Sequence, residues 1–152
     1  MILSETWPQI VEYKLAIVKY ESLVDLTMRS DYLRCNPIFH DHPRFDFVIA
    51  DLPHRGRIFA QLVSLIVCQV GAVDYHLALV QPLEKKSRPA TRCVDQMLSI
   101  HRWTIRQRNR CEVIPLDSIV RGAVLVKDPR YSSDYFVIDA LDDDMYLRIK
   151  LL

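Results

Sequence analysis

Residues 45–81 read FDFVIADLPHRGRIFAQLVSLIVCQVGAVDYHLALVQ. Three runs rich in Val, Ile, Leu and Phe stand out: Phe45 to Ala50, Arg57 to Val70 and Val73 to Gln81. They are parted by D-L-P-H-R-G and by a tight connection at Gly71-Ala72, so they predict strands, the last two forming a hairpin. The apolar run Ile58 to Val73 is broken by Gln61, Ser64, Gln69 and Gly71, which makes it too short and too polar for a membrane-spanning helix. It reads as sheet core.

Downstream, 98–105, 111–114, 123–126, 135–139 and 145–149 are short strand candidates with turn residues between them. Upstream, apolar residues alternate with Glu12, Lys14 and Ala16 and slip phase at Ile17/Val18, which predicts a bulged strand over 11–20. Ile10, Tyr13, Ile17, Tyr20, Val24 and Met28 also fall at spacings of three and four, and a helical turn or two is expected within 22–33. Residues 34–44 hold Pro37 and Pro43 and read as a shaped loop. Eight or nine short strands with little helix predict a mainly β domain, a small β-barrel with one or two short helices. Residues 1–33 would be an N-terminal extension and 34–152 the barrel core.

The chain has 152 residues, half of them apolar and a quarter charged, with a formal charge of +1. That is one domain by length and composition, and neither a disordered tail nor a strongly basic coat protein. The three glycines, Gly56, Gly71 and Gly122, are isolated, so no phosphate-binding glycine motif is present. Met1 to Tyr13 lacks the basic start and apolar stretch of a signal peptide, and an intracellular chain without membrane association is expected. Cys35, Cys68, Cys93 and Cys111 form no C-x-x-C pair and are expected as free thiols.

Near-neutrality hides one composition shift. Residues 85–110 carry Lys85, Lys86, Arg88, Arg92, Arg102, Arg106, Arg108 and Arg110 against Asp95 alone, a net +7 between flanks of −3 each. With Trp103 in the same stretch, this band offers phosphate contacts and a stacking surface, the pattern of a nucleic-acid interface. The other reading is a solvated face paired with the acidic ends.

Other constellations are weaker. Cys35, His40 and His42, with His54 farther on, are zinc-ligand types, but C-x4-H-x-H matches no standard site. Asp139, Asp142, Asp143 and Asp144 are hard-cation ligand types that fit a turn better. Tyr131, Tyr135, Phe136 and Tyr146 with Trp103 would be needed for an ammonium cage, and alternating aromatics more often pack in a core. There is no G-x-S-x-G elbow. The reading is of a non-enzyme without cofactor or bound metal.

Several strings taken together resemble the C-terminal accessory region of basidiomycete transposon proteins of the CACTA-like Plavaka type. They are DYLRCNPIFHDHPRFDFVIA (31–50), IFAQLVSLIVC (58–68), HLALVQPL (76–83), IPLDSIVRGAVLV (114–126) and DYFVIDALDDDMYLRI (134–149). The resemblance spans roughly 11–150 and implies a non-catalytic, nuclear accessory domain that binds DNA, or a remnant of one. A second resemblance, carried by Phe59 to Val67, the I-P-L-D-S-I segment and Asp134 to Ile138, is to the bromo-adjacent homology domain. It implies a chromatin-associated barrel that meets protein partners through an edge strand.

Overall fold

The computed structural model describes residues 8–85, 100–105 and 110–152. The long apolar run becomes an antiparallel ladder of β5 (Phe47–Leu52), β6 (Gly56–Val70) and β7 (Val73–Pro82), as its sequence predicts. Gly56 (φ 68°) and Gly71 (φ 64°) take the left-handed backbone that its two tight turns require. Strand β6 is shared along its length. Its first half pairs with β5, and its second half with β1 (Gln9–Tyr13), from Gln9↔Gln69 to Tyr13↔Leu65. β10 (Glu112–Pro115) adds to β7 and β11 (Ile119–Ala123) to β5, giving a sheet in the order β10-β7-β6-β5-β11 with β1 beside β6.

Two smaller sheets flank it. One contains β2 (Leu15–Glu21), β3 (Met28–Phe39) and β4 (His42–Phe45). The other runs β12 (Leu125–Lys127), β13 (Asp134–Val137), β9 (Arg102–Thr104), β8 (Glu84–Lys85), and a helix, α1 (Asp143–Lys150), packs near it. Strand β5 and the first half of β6 are therefore covered on both faces. Val48, Ala50, Ala60 and Leu62 join Val18, Leu33 and Cys35 in one apolar cluster, whereas Ile49 and Phe59 join Trp103, Val137, Met145 and Ile149 in the other. Burial on both sides explains why this stretch is continuously apolar rather than alternating.

The fold is mainly β with one α-helix among the described residues, and no closed barrel forms there: the ladders remain three separate sheets. Four local expectations change. No helix forms in 22–33; β3 starts at Met28 and pairs with β2 from Leu15↔Arg34 to Glu21↔Met28, so cross-strand burial overrides the helical spacing. The break in the N-terminal strand falls at Lys14 instead of Ile17/Val18, where the chain passes from β1 to β2.

Residues 34–44 are not a loop. They form a hairpin whose two turn residues, His40 and Asp41, both have positive φ (47° and 65°), the geometry of a tight hairpin connection. A register shift between Asn36 and Phe39 accommodates Pro37, which has no N–H for the ladder. Residues 145–149 are helical, because Asp142 caps the helix by accepting from the Asp144 and Met145 N–H groups. Arg148 and Lys150 in its last turn complement the helix dipole. The proposed boundary after residue 33 falls inside β3, and Val18 and Leu33 lie in the core, so the N-terminal strands are integral to it. No helix among the described residues is long and apolar enough to cross a membrane.

Candidate functional site

The basic band is divided by the fold. Lys86, Arg88, Arg92, Arg106 and Arg108 lie outside the described residues. Lys85, at the end of β8, is exposed. Arg110 is exposed too, its Nε 3.8 Å from Glu112 Oε1. Arg102 and Trp103 correct the expectation. Arg102 is only 7% exposed; its Nη1 donates to Asp128 Oδ2 and lies 3.4 Å from Asp134 Oδ2, and its guanidinium stacks 4.4 Å from the Phe136 ring centroid. The Arg102 hydrogen bond outweighs desolvation and holds the Asp128 carboxyl below its ordinary pKa. Trp103 is buried edge-on against Phe59 with ring centroids 4.8 Å apart. A guanidinium enclosed by two carboxylates and a buried indole are core components; neither faces a phosphate or a base.

Asp142 and Asp144 of the acidic run serve a second internal cluster. Arg121, on β11, donates through Nη1 to Asp144 (2.6 Å), through Nη2 to Asp142 (2.7 Å) and through Nε to Asp31 (3.3 Å). It also stacks 4.4 Å from the Tyr20 ring centroid. Asp144 is bound in turn by Arg148 Nε (2.7 Å) and by the Leu23 N–H (2.6 Å), while Arg148 Nη2 reaches the Glu21 carbonyl (2.6 Å). Burial pushes the Asp144 carboxyl up, but the bonds from Arg148, Leu23 and Arg121 outweigh it and hold the pKa below the usual carboxylate range. Asp142 behaves alike, with Arg121 and the Met145 N–H overcoming desolvation. These carboxylates thus join the β2–β3 hairpin, β11 and α1 through the Arg121 and Arg148 guanidiniums and the Leu23 N–H. A cleft of about 450 Å³ opens beside the cluster, lined by Asp31, Tyr32, Arg44, Asp46, Gly122 and Leu141 among others.

The remaining candidates disperse. Cys35 is buried, its Sγ 3.3 Å from the Tyr13 carbonyl it donates to, and burial raises its thiol pKa, whereas His40 and His42 are exposed. No group of three metal-ligating side chains is found among the described residues. Tyr135 packs on Phe47, Phe136 on Arg102 and Tyr146 under Lys150, so these aromatics do not converge on one ammonium site.

Two surface features were not foreseen. On the β3–β4 hairpin the Arg34 and Arg44 guanidiniums lie 5.3 and 5.1 Å from the Phe39 ring centroid, with His40 edge-on at 4.5 Å. The clearer feature is β1. All five of its residues are exposed, including Ile10 (65%), Val11 (49%) and Tyr13 (49%), and its only ladder among the described residues is with β6. Its far edge is unpaired among the described residues, although the Tyr13 carbonyl accepts from Cys35 Sγ, and Tyr13 also lines an apolar groove of about 300 Å³ with Leu15, Ile17, Leu65 and Leu116 among others. The signal was I-V-E-Y itself, a β-rich run set between Pro8-Gln9 and Lys14. Compared with protein-family models, with curated proteins and with solved structures, the chain matches none.

Proposed function

We propose that this chain is a non-catalytic protein-interaction module that takes up an extended segment by strand addition at β1. The observation that carries the reading is the outer edge of β1, unpaired with any other strand among the described residues, with Ile10, Val11 and Tyr13 exposed along it. An added strand would satisfy the open N–H and C=O groups, and side chains alternating across the two faces would supply selectivity. Relationship to the bromo-adjacent homology class or to the accessory region of a fungal transposon protein belongs to the same proposal, and the mainly β architecture supports it.

The test is selection of random linear peptides displayed on phage against the immobilised chain. Peptides with apolar alternation should be enriched, and Val11→Pro should remove their binding while the circular dichroism of the sheet persists. Peptides whose binding ignores Val11→Pro would end the reading. Nucleic-acid binding is a second reading, supported by exposed Lys85 and Arg110 at the borders of the +7 segment and by Arg34 and Arg44 around Phe39. Its signature is an affinity for labelled DNA that falls linearly with log salt.

A further inference from the structure

We infer that the outer face of the β2–β3–β4 sheet binds single-stranded nucleic acid, with Arg34 and Arg44 gripping its phosphates and Tyr32 stacking on a base. The inference is independent of strand addition at β1; it rests on the nucleic-acid reading and names its place and the kind of strand. Arg34 carries the argument. Among the described residues every other arginine lies beside a carboxylate, and Arg34 does not. Arg34 is partly buried, with its guanidinium 5.3 Å from the Phe39 ring centroid, and a charge held there without a counter-ion is one that an anion would compensate. Arg44 approaches the same ring at 5.1 Å, so the two guanidiniums lie within about 10 Å of each other, a span that covers successive phosphates of one strand. Asp46 offsets only one of the two charges. Its Oδ1 accepts from Arg44 Nε (2.9 Å) and its Oδ2 from the Arg34 backbone N–H (2.8 Å), which leaves the Arg44 Nη groups and the whole Arg34 fork open among the described residues.

The register puts a stacking surface beside this clamp. Leu33 and Cys35 lie in the core, so Tyr32, Arg34 and Asn36, which alternate with them, share the outer face of β3. Arg44 sits opposite Asn36 and Ile17 opposite Tyr32 on that same face. Tyr32 is 56% exposed, and Lys19, opposite Ser30, adds a third cation. Against these three the face sets Asp46 and, at its far end, Glu21. Aromatic and basic side chains interleaved on an open sheet face suit an unpaired strand, whose bases are free to stack while its phosphates meet the guanidiniums. A duplex keeps its bases stacked on one another and would leave Tyr32 unused, and a phosphopeptide would engage the fork but bring no base to the ring.

Fluorescence anisotropy of the full chain over a salt series tests this, with a labelled single strand of about 16 nucleotides, its duplex and a phosphotyrosine peptide as probes. The single strand should bind most tightly. Arg34→Gln combined with Arg44→Gln should weaken it at least ~10-fold in about 0.1 M salt and make the log–log salt slope shallower by about 1.4, the counterion release of two single-strand phosphate contacts. Tyr32→Leu should weaken it at least ~5-fold and leave the slope unchanged. Arg34→Lys keeps the charge and should keep the slope, yet lose affinity because a point charge cannot fork to a phosphate; it decides the matter if far-ultraviolet circular dichroism shows the double variant unfolded. Parental affinity in both Arg34→Lys and Tyr32→Leu overturns the site. Binding that Lys85→Gln with Arg110→Gln abolishes and the Arg34 and Arg44 changes leave intact also overturns the site, while the nucleic-acid reading stands. Tighter binding of the duplex or the peptide overturns the choice of a single strand, and no binding of any oligonucleotide at low salt overturns both the inference and the nucleic-acid reading.

Discussion

Arg121→Met removes a guanidinium shared by Asp31, Asp142 and Asp144, and the structure sets the size of the effect. Arg121 is 7% exposed and Asp144 is fully buried, so this is an internal network rather than a surface pair. Deleting one partner of a buried ion pair costs about 3–5 kcal/mol, because the other charge is left without compensation. Two features pull the value to the lower end. Asp144 retains Arg148 at 2.7 Å and the Leu23 N–H at 2.6 Å, and Asp142, about a third exposed, regains water. The expected loss is about 3 kcal/mol, a fall in thermal midpoint of about 6–12 °C for a chain of this length. Urea unfolding followed through the fluorescence of buried Trp103 should give a lower midpoint with unchanged slope. Arg121→Lys, a point charge that cannot fork to three carboxylates, should fall between parent and Met variant. A change of less than about 1 kcal/mol in Arg121→Met would refute the view that this cluster fastens the hairpin to the helix.

Acid should act through the same groups. The Asp142 and Asp144 carboxyls have folded pKa values below their unfolded ones, so their stabilisation is present above the unfolded value near pH 4 and is lost as pH falls through the folded values. Asp144→Asn should flatten the stability profile below pH 4, which pH-dependent urea midpoints would show. Burial raises the Cys35 thiol, so Cys35 should resist alkylation in the native chain and react in urea, as peptide mapping would reveal. Gly71→Ala meets open space but keeps φ at 64°, so it should cost about 1 kcal/mol from backbone strain alone, read as a shift in urea midpoint. Arg102→Met should lower the melting temperature yet leave the salt slope of any DNA binding unchanged, because its guanidinium is engaged by Asp128 and Asp134.

The strands that carry the core were legible because their residues leave few alternatives: 57–70 and 73–81 are too apolar and too β-branched to lie elsewhere, and Gly71 marks the turn. Residues 34–44 were misread because Pro37 and Pro43 argue locally for a loop, while a register shift and the His40-Asp41 turn absorb them in a hairpin. Helix α1 was hidden because Met145, Arg148 and Ile149 share a buried face only once Arg148 finds Asp144. The same limit applies to Arg102 and Arg121. A sequence shows that a guanidinium is present, not that Asp128 or Asp144, distant in the chain, will enclose it.

The clamp between residues 21–23 and 144–148 also bears on the order in which contacts form. The Leu23–Asp144 bond spans 121 positions and the Arg148–Glu21 bond 127. A nascent chain can close the β2–β3 hairpin early, since its residues are neighbours, but its tip meets Asp144 and Arg148 only after residues 144–148 have been made. Closing so long a loop adds an entropic barrier late in folding. A ribosome stalled before residue 144 would hold a chain whose N-terminal hairpin has no fastening.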